Sequence, residues 1–412
     1  MKKRGENNLL VGLDIGTTKV VVLVGSLSPE NSLDLIGIGV QPARGLKKGI
    51  VVNIDATVQS IKQALEEAEA MAGCEIHSVY TGISGSHIRS LNSHGIVAIR
   101  NHEVTQGDID RVIDAAQAVA IPADQKILHV LPQEFIIDNQ GGIREPIGMF
   151  GVRLEAKVHI VTGSVSAVQN IVRCIERCNL HVSDIILQPL ASSAAVLTDD
   201  ERELGICLID IGGGTTDIAV FTDGAIRHSA VIPIAGNQVT SDIAVALHTP
   251  TRYAEAIKCK YASAIATGTT DANIDVPNSA SQLPHREVSQ SMLVNVVGAR
   301  YEELFSLVKA ELKRSKFLGS IGAGIVLTGG ASKIPGVVEL AEQVFGLPVR
   351  IGAPENVTGA ANVAGNPIYS TSTGLLLAGA TQHRLGLQQE SSFFSESKGL
   401  FAKMKAWFQA NF

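Results

Sequence analysis

The chain has 412 residues, 45% of them hydrophobic, and a formal net charge of −6. That length suits two or more domains with real cores. The acidic balance argues against a nucleic-acid-binding body and confines any basic attraction to local stretches. The start, MKKRGENNLLVGLDIG, carries the charge of a secretion signal, but Asp14 interrupts its apolar run. No stretch approaches the roughly eighteen apolar residues that mark a membrane span. Five scattered cysteines, an odd number, read as reduced thiols of a cytoplasmic chain. Cys174 and Cys178 lie one helical turn apart without the companions a metal site needs, and read as small core residues.

In chain order, LLVGLDIGTTKVVVLVG (9–25) reads as a strand, a tight loop and an antiparallel strand. ATVQSIKQALEEAEAMAG (56–73) has helical periodicity, and VTQGDIDRVIDAAQAV (104–119) reads as a helix with Thr105 as N-cap. The first pattern then recurs as GICLIDIGGGTTDIAVFTDG (205–224), followed by a helix over 237–248. GAGIVLTGGASKIPGVVELAEQVF (322–345) is a strand, a Gly-Gly loop and a helix begun near Pro335. Two halves opening on the same hairpin predict a duplicated α/β fold with a cleft between the copies.

The loops have a shared chemistry. Gly16 and Gly212, Gly213 and Gly214 let backbone N–H groups approach a phosphate closely. Thr17, Thr18, Thr215 and Thr216 add hydroxyls, and Lys19 adds a point charge. Asp14, Asp210 and Asp217 suit a Mg²⁺ ion held mainly through water. DIGTT alone is equally an ordinary hairpin turn; three loops in this order are not easily coincidental.

The chain ends differently. LGLQQESSFFSESK (385–398) reads as a polar tether, and GLFAKMKAWFQANF (399–412) follows it. The sole tryptophan and five of the eleven phenylalanines lie in the last twenty residues. On a helical wheel Leu400, Phe401, Met404, Trp407, Phe408 and Phe412 fall within an arc of roughly 140°, with Lys403 and Lys405 at its edges. At about 21 Å such a helix is too short to cross a bilayer and suits its surface, ammonium groups toward anionic lipid. A partner groove or docking on the protein's own core are the other fates open to it.

In these loops the chain resembles the ATPase superfamily of actin, sugar kinases and heat-shock chaperones, and within it the FtsA family of bacterial cell-division proteins. The resemblance runs from residue 8 to the terminus, on VGLDIGTTKV, ERELGICLIDIGGGTTDIAV, AGNQVTSDIA, AEAIK, GIVLTGGASKIPG and VRIGAP, and on the tethered tail. It implies an actin-like (ribonuclease-H-like) α/β fold, two halves flanking a nucleotide cleft, with a relocated subdomain that takes part in polymer contacts. Subdomain 1A would comprise 1–85, 163–198 and 369–384; 1C, 86–162; 2A, 199–232 and 305–368; and 2B, 233–304. A linker (385–398) and a membrane-targeting amphipathic helix (399–412) would complete the chain.

The resemblance further implies ATP and Mg²⁺ as ligands. Asp14 to Lys19 and Asp210 to Thr216 would hold phosphates, and Gly329, Gly330 and Ala331 would pack on adenosine. Glu255 and Lys258 would reach ribose and base, and Gly236 and Asn237 would close the site. From spacing alone, Glu255 and Lys258 are an i,i+3 surface pair. In LQPLASSAAV only Gln188 can orient attacking water, and an amide takes no proton at neutral pH, so slow hydrolysis at most is expected. Implied partners are other copies in filaments, the FtsZ C-terminal tail with Arg300 as a contact, the FtsN cytoplasmic tail and other division proteins, and anionic lipid at the inner face of the cell membrane. A pilus-assembly adaptor, a metabolic kinase and a chaperone ATPase are the alternatives on this fold.

Overall fold

Two Asp-Ile-Gly hairpins organise the computed structural model, which describes residues 9–27, 33–266, 273–277, 286–355, 357–360 and 362–384. The tether and terminal helix expected at 385–412 lie outside the described residues. In the first half, β1 (Leu9–Ile15), β2 (Lys19–Leu27) and β3 (Leu33–Pro42) form an antiparallel meander. A small hairpin, β4 (Leu46–Lys47) and β5 (Ile50–Val51), leads to α1 (Ile54–Ala72) and β6 (Ser78–Ile83). An insert follows: β7 (Arg89–Ala98), α2 (Gln106–Gln117), β8 (Gln125–Ile137), β9 (Gln140–Ile143) and β10 (Arg153–Ser164). The chain then returns through α3 (Val165–Glu176) to β11 (His181–Leu187), which pairs parallel with β6.

The second half repeats the plan. After α4 (Gln188–Val196) and α5 (Asp199–Leu204) come β12 (Ile206–Ile211), β13 (Thr216–Thr222) and β14 (Ala225–Ile232). Next are α6 (Gly236–Ala246), α7 (Thr251–Tyr261), the hairpin β15 (Asn273–Val276) and β16 (Arg286–Ser289), and the long α8 (Gln290–Arg314). Then β17 (Gly324–Thr328), α9 (Val337–Phe345), β18 (Val349–Ile351) and α10 (Ser370–Arg384) complete it. The sheet orders are β11-β6-β1-β2-β3 and β14-β13-β12-β17-β18. Each is an antiparallel meander extended by two parallel strands, the actin-like plan. Both central strands are buried on both faces, which accounts for their unbroken apolar runs.

Packing follows from small residues. A Cβ at Gly37 would press on the Ala68 carbonyl of α1 at 2.7 Å, so α1 lies close on β3. In the insert, α2 covers one face of the sheet β7-β10-β8-β9 around Val112, Ile113, Leu154 and Ile160. Thr105 is the N-cap of α2, as expected, and a capping box ties it to Asp108: its N–H (2.9 Å) and hydroxyl (2.6 Å) donate to the Asp108 carboxylate. Cys174 and Cys178 are buried in the first-half core.

Candidate functional site

The two hairpin loops are built alike. The Gly16 N–H donates to the Lys19 carbonyl and the Gly212 N–H to the Thr215 carbonyl, each at 3.0 Å. They face one another across the gap between halves. A Cβ on Gly213 would overlap the Thr18 hydroxyl, and one on Gly214 would lie 2.6 Å from the Thr17 hydroxyl. None of Gly16, Gly212, Gly213 or Gly214 has positive φ, so close approach rather than a left-handed backbone demands glycine here. Gly329 is the exception, at φ +85° against Asp210 and the Ile211 carbonyl. The start of α6 is stitched to the second loop by Gly236 N–H to Gly212 O (3.1 Å) and Asn237 N–H to Gly213 O (2.8 Å).

These loops and the Gly-Gly turn after β17 enclose one cleft of about 480 Å³, within the usual range for ligand sites. Asp14, Gly16, Thr17, Thr18, Lys19, Gln188, Asp210, Gly212, Gly213, Gly214, Thr215, Asp217, Gly236, Asn237, Glu255, Lys258, Gly329, Gly330 and Ala331 all line it. Thr216 does not. As the first residue of β13 it is fully buried and donates its hydroxyl to Ile234 O at 2.7 Å, so it is a structural tie rather than a phosphate contact. Glu255 and Lys258 face the cleft together and are more than a surface pair. Lys258 Nζ donates to Glu255 (2.8 Å), Thr240 Oγ1 (2.8 Å) and Gly236 O (3.1 Å).

Burial dominates the electrostatics. It pushes the Asp14 carboxyl up to about 6, against the attraction of Lys19 and with the repulsion of Asp210. It pushes Asp217 up to about 8 and raises Asp210 as well. It also lowers Lys19 to about 8, opposed by Asp14 and Asp210. Each carboxylate already holds a neighbour. Gln188 Nε2 donates to Asp14 (3.1 Å), Ser192 (2.5 Å) and Thr371 (3.2 Å) to Asp210, and Ser84 to Asp217. Lys19 Nζ donates to Ile368 O at 2.5 Å and lies over the Tyr369 ring. Among the described residues no three acidic, His or Cys side chains converge on a direct metal site. The donor set fits an ion reached through water, since three buried carboxylates leave one another short of positive charge.

The residues missed from sequence are those that reach the cleft from elsewhere in the chain. Ser84 directly follows β6, Lys333 follows the Gly-Gly turn, and Tyr301 of α8 donates to Ala331 O at 2.6 Å. No spacing pattern marks them; only the serine after a buried strand in TGISGS was a hint.

Comparison with known proteins follows this geometry. A family profile described as "Cell division protein FtsA" matches residues 207–374, and one described as "SHS2 domain inserted in FTSA" matches 85–162. Cell division protein FtsA of Pseudomonas aeruginosa is 59% identical over 410 residues, 98% of each chain. The chain belongs to the FtsA family of cell-division proteins. The FtsA of Neisseria meningitidis is 50% identical over 97% of this chain and 98% of its own, and that of Escherichia coli K12 is 44% identical over all of both. The insert β7–β10 with α2 is thus the SHS2 domain that marks FtsA.

Solved structures agree on the fold. The PilM-PilN type IV pilus biogenesis complex aligns at TM-score 0.65 with 18% identity, covering 90% of this chain and 98% of its own. MreB5 of Spiroplasma citri bound to ADP aligns at 0.58 with 16% identity, covering 93% and 100%. At those identities the likeness establishes the actin-like architecture alone. The pilus-adaptor, kinase and chaperone alternatives give way to FtsA membership.

Proposed function

We propose that this FtsA-family chain binds ATP with Mg²⁺ in the cleft and polymerises, and that it tethers FtsZ filaments to the inner face of the cell membrane at the division site. One observation carries the nucleotide reading: two duplicated glycine loops and a third Gly-Gly turn meet in one cleft that also collects Lys19, Lys258 and Lys333. Structurally similar MreB5 of Spiroplasma citri has been solved with ADP and with AMPPNP. In this reading Gly16–Lys19 and Gly212–Thr215 cradle phosphates, Gly329–Ala331 back the adenosine, and Glu255 and Lys258 hold the ribose and base.

Magnesium, when bound, would neutralise phosphate charge. Asp14, Asp210 and Asp217 would meet it through water. Gln188 sits at the first residue of α4 with its amide on Asp14. An amide orients water but accepts no proton, so turnover is slow at most and nucleotide acts chiefly by joining the halves.

For FtsZ, the groove between α6 and α8 is the candidate. Asp242, Val245, Ala246, Val296, Ala299, Arg300 and Glu303 line it. Arg300 is held by Asp242 (2.5 and 3.0 Å) and by Glu303, so an acidic tail peptide would compete with these carboxylates while covering the exposed Val245. The FtsN cytoplasmic tail and later division proteins are the further partners of this reading. No helix of the described residues is long and apolar enough to cross a membrane; attachment falls to the amphipathic segment 399–412.

The test is sedimentation of the full chain with anionic vesicles, with and without Mg²⁺–ATP and an FtsZ tail peptide. The reading expects vesicle binding that requires residues 399–412 and rises with ATP, and peptide carried down with the chain. Vesicle binding indifferent to both the tail and ATP would refute it.

A further inference from the structure

The insert leaves the first half but is fastened to the second. At its root, Ser84 donates its hydroxyl to Asp217, the second residue of β13, and both residues are only 3% exposed. The next residue, Gly85, is at φ +137° and packed against His87. A Cβ on Gly49 would lie 2.9 Å from the Gly85 Cα and the Ser84 carbonyl, and the Gly49 N–H donates to Thr17 Oγ1 of the first loop at 3.1 Å. The root is therefore wedged between the two loops of the cleft.

A second fastening lies further out. The face of the insert turned away from α2 presents the cross-strand pair Asn92 and His159, and Gln133 at the register shift of β8, to the edge strand β14. Ser90 donates to Ser229 O (2.7 Å), Asn92 to Arg227 O (3.1 Å) and Gln133 to Ile226 O (2.8 Å). His159 is buried between Asn92 Oδ1 (2.6 Å) and Ser229 Oγ (2.9 Å). β14 is the direct neighbour of β13, with Val231 opposite Asp217. Both fastenings thus act on one hairpin of the second half, whereas the covalent connections of the insert, β6 and α3, belong to the first.

Any change in the angle between the halves must shear one fastening or carry the insert with it. We propose that Ser84 is a positioning residue that couples nucleotide occupancy of the cleft to the seating of the insert on β14, through its hydrogen bond to Asp217. The proposal rests on the nucleotide reading above. Coupling between sites is reciprocal: if nucleotide tightens or loosens the seam, weakening the seam must change nucleotide affinity, although no seam residue lines the cleft.

Two measurements on the full chain test it. Hydrogen exchange of amides 89–98 and 225–232, with and without Mg²⁺–ATP, should respond to nucleotide in the wild type. The response should vanish in Ser84→Ala and return in Ser84→Thr, which keeps the hydroxyl. A fluorescent-ATP titration of Asn92→Ala and Gln133→Ala should give affinities shifted about fivefold, at the lower end of ordinary coupling. A folded Ser84→Ala chain whose seam still responds, or seam variants with wild-type affinity, would overturn the coupling. Should Ser84→Ala fail to fold, the seam variants decide alone. Failure of the wild type to bind ATP at all would instead overturn the nucleotide reading, and this proposal with it.

Discussion

Gly213 shows what a single residue contributes. Sequence reading assigns it to the approach of a phosphate, but its backbone is ordinary, and the atom nearest a prospective Cβ is the Thr18 hydroxyl of the opposite loop. Glycine is needed there so that the halves can close. Gly213→Ala should therefore hold the loops apart and weaken ATP binding by about tenfold, roughly 1.4 kcal/mol, while Gly213→Ala with Thr18→Gly should recover part of it. Titration with a fluorescent ATP analogue reads both. No recovery in the double variant would mean that the methyl group obstructs the ligand itself. Thr216 carries the opposite lesson. It is identical in type to Thr215 and adjacent to it, yet strand alternation turns it inward to Ile234 O.

Elements were legible where capping and periodicity agree. The helix expected at 56–73 forms as Ile54–Ala72, starting earlier because the Asn53 side chain accepts the Ala56 N–H at 3.0 Å, and stopping at Gly73 with φ 67°. The helix expected at 104–119 is shorter at both ends, Gln106–Gln117. The pairing of α4 with α10 could not be read, since Ala191 and Gly374 are 183 positions apart and the contact is between backbones. A Cβ on Gly374 of α10 would overlap the Ala191 carbonyl of α4. Gly374→Ala should accordingly destabilise by about 1–3 kcal/mol through overpacking, although alanine favours helices by propensity. Thermal melting checks it; an unchanged or raised melting temperature would show that α4 and α10 can part freely.

At the scale of the molecule, the proposed terminal helix, weak by itself, would suit the proposed polymer. One interfacial helix binds lipid modestly, and the proposed filament would present many at once, multiplying affinity by about 10² or more. Trp407→Glu puts a charge within the apolar arc. A loss of about 1.4 kcal/mol per helix is tenfold in affinity, repeated at each subunit. Normal ATP binding and melting are expected together with loss of vesicle sedimentation. The self-docked alternative forecasts a lowered melting temperature with lipid binding largely unchanged, so both properties are measured on the one variant.

The sequence by itself determined the duplication and the three glycine loops with their flanking hydroxyls and carboxylates, because each depends on local pattern: apolar runs that become buried strands, glycines at their ends, and carboxylates one position from the turn. Tertiary structure alone decided which partners those residues meet. Ser84, Ser192 and Thr371 reach Asp217 and Asp210 from distant stretches, and the insert rests on a strand of the half to which it is not joined. Such contacts depend on where the chain returns in space, and hydroxyl-to-carboxylate or side-chain-to-edge bonds leave no periodic trace in composition or spacing.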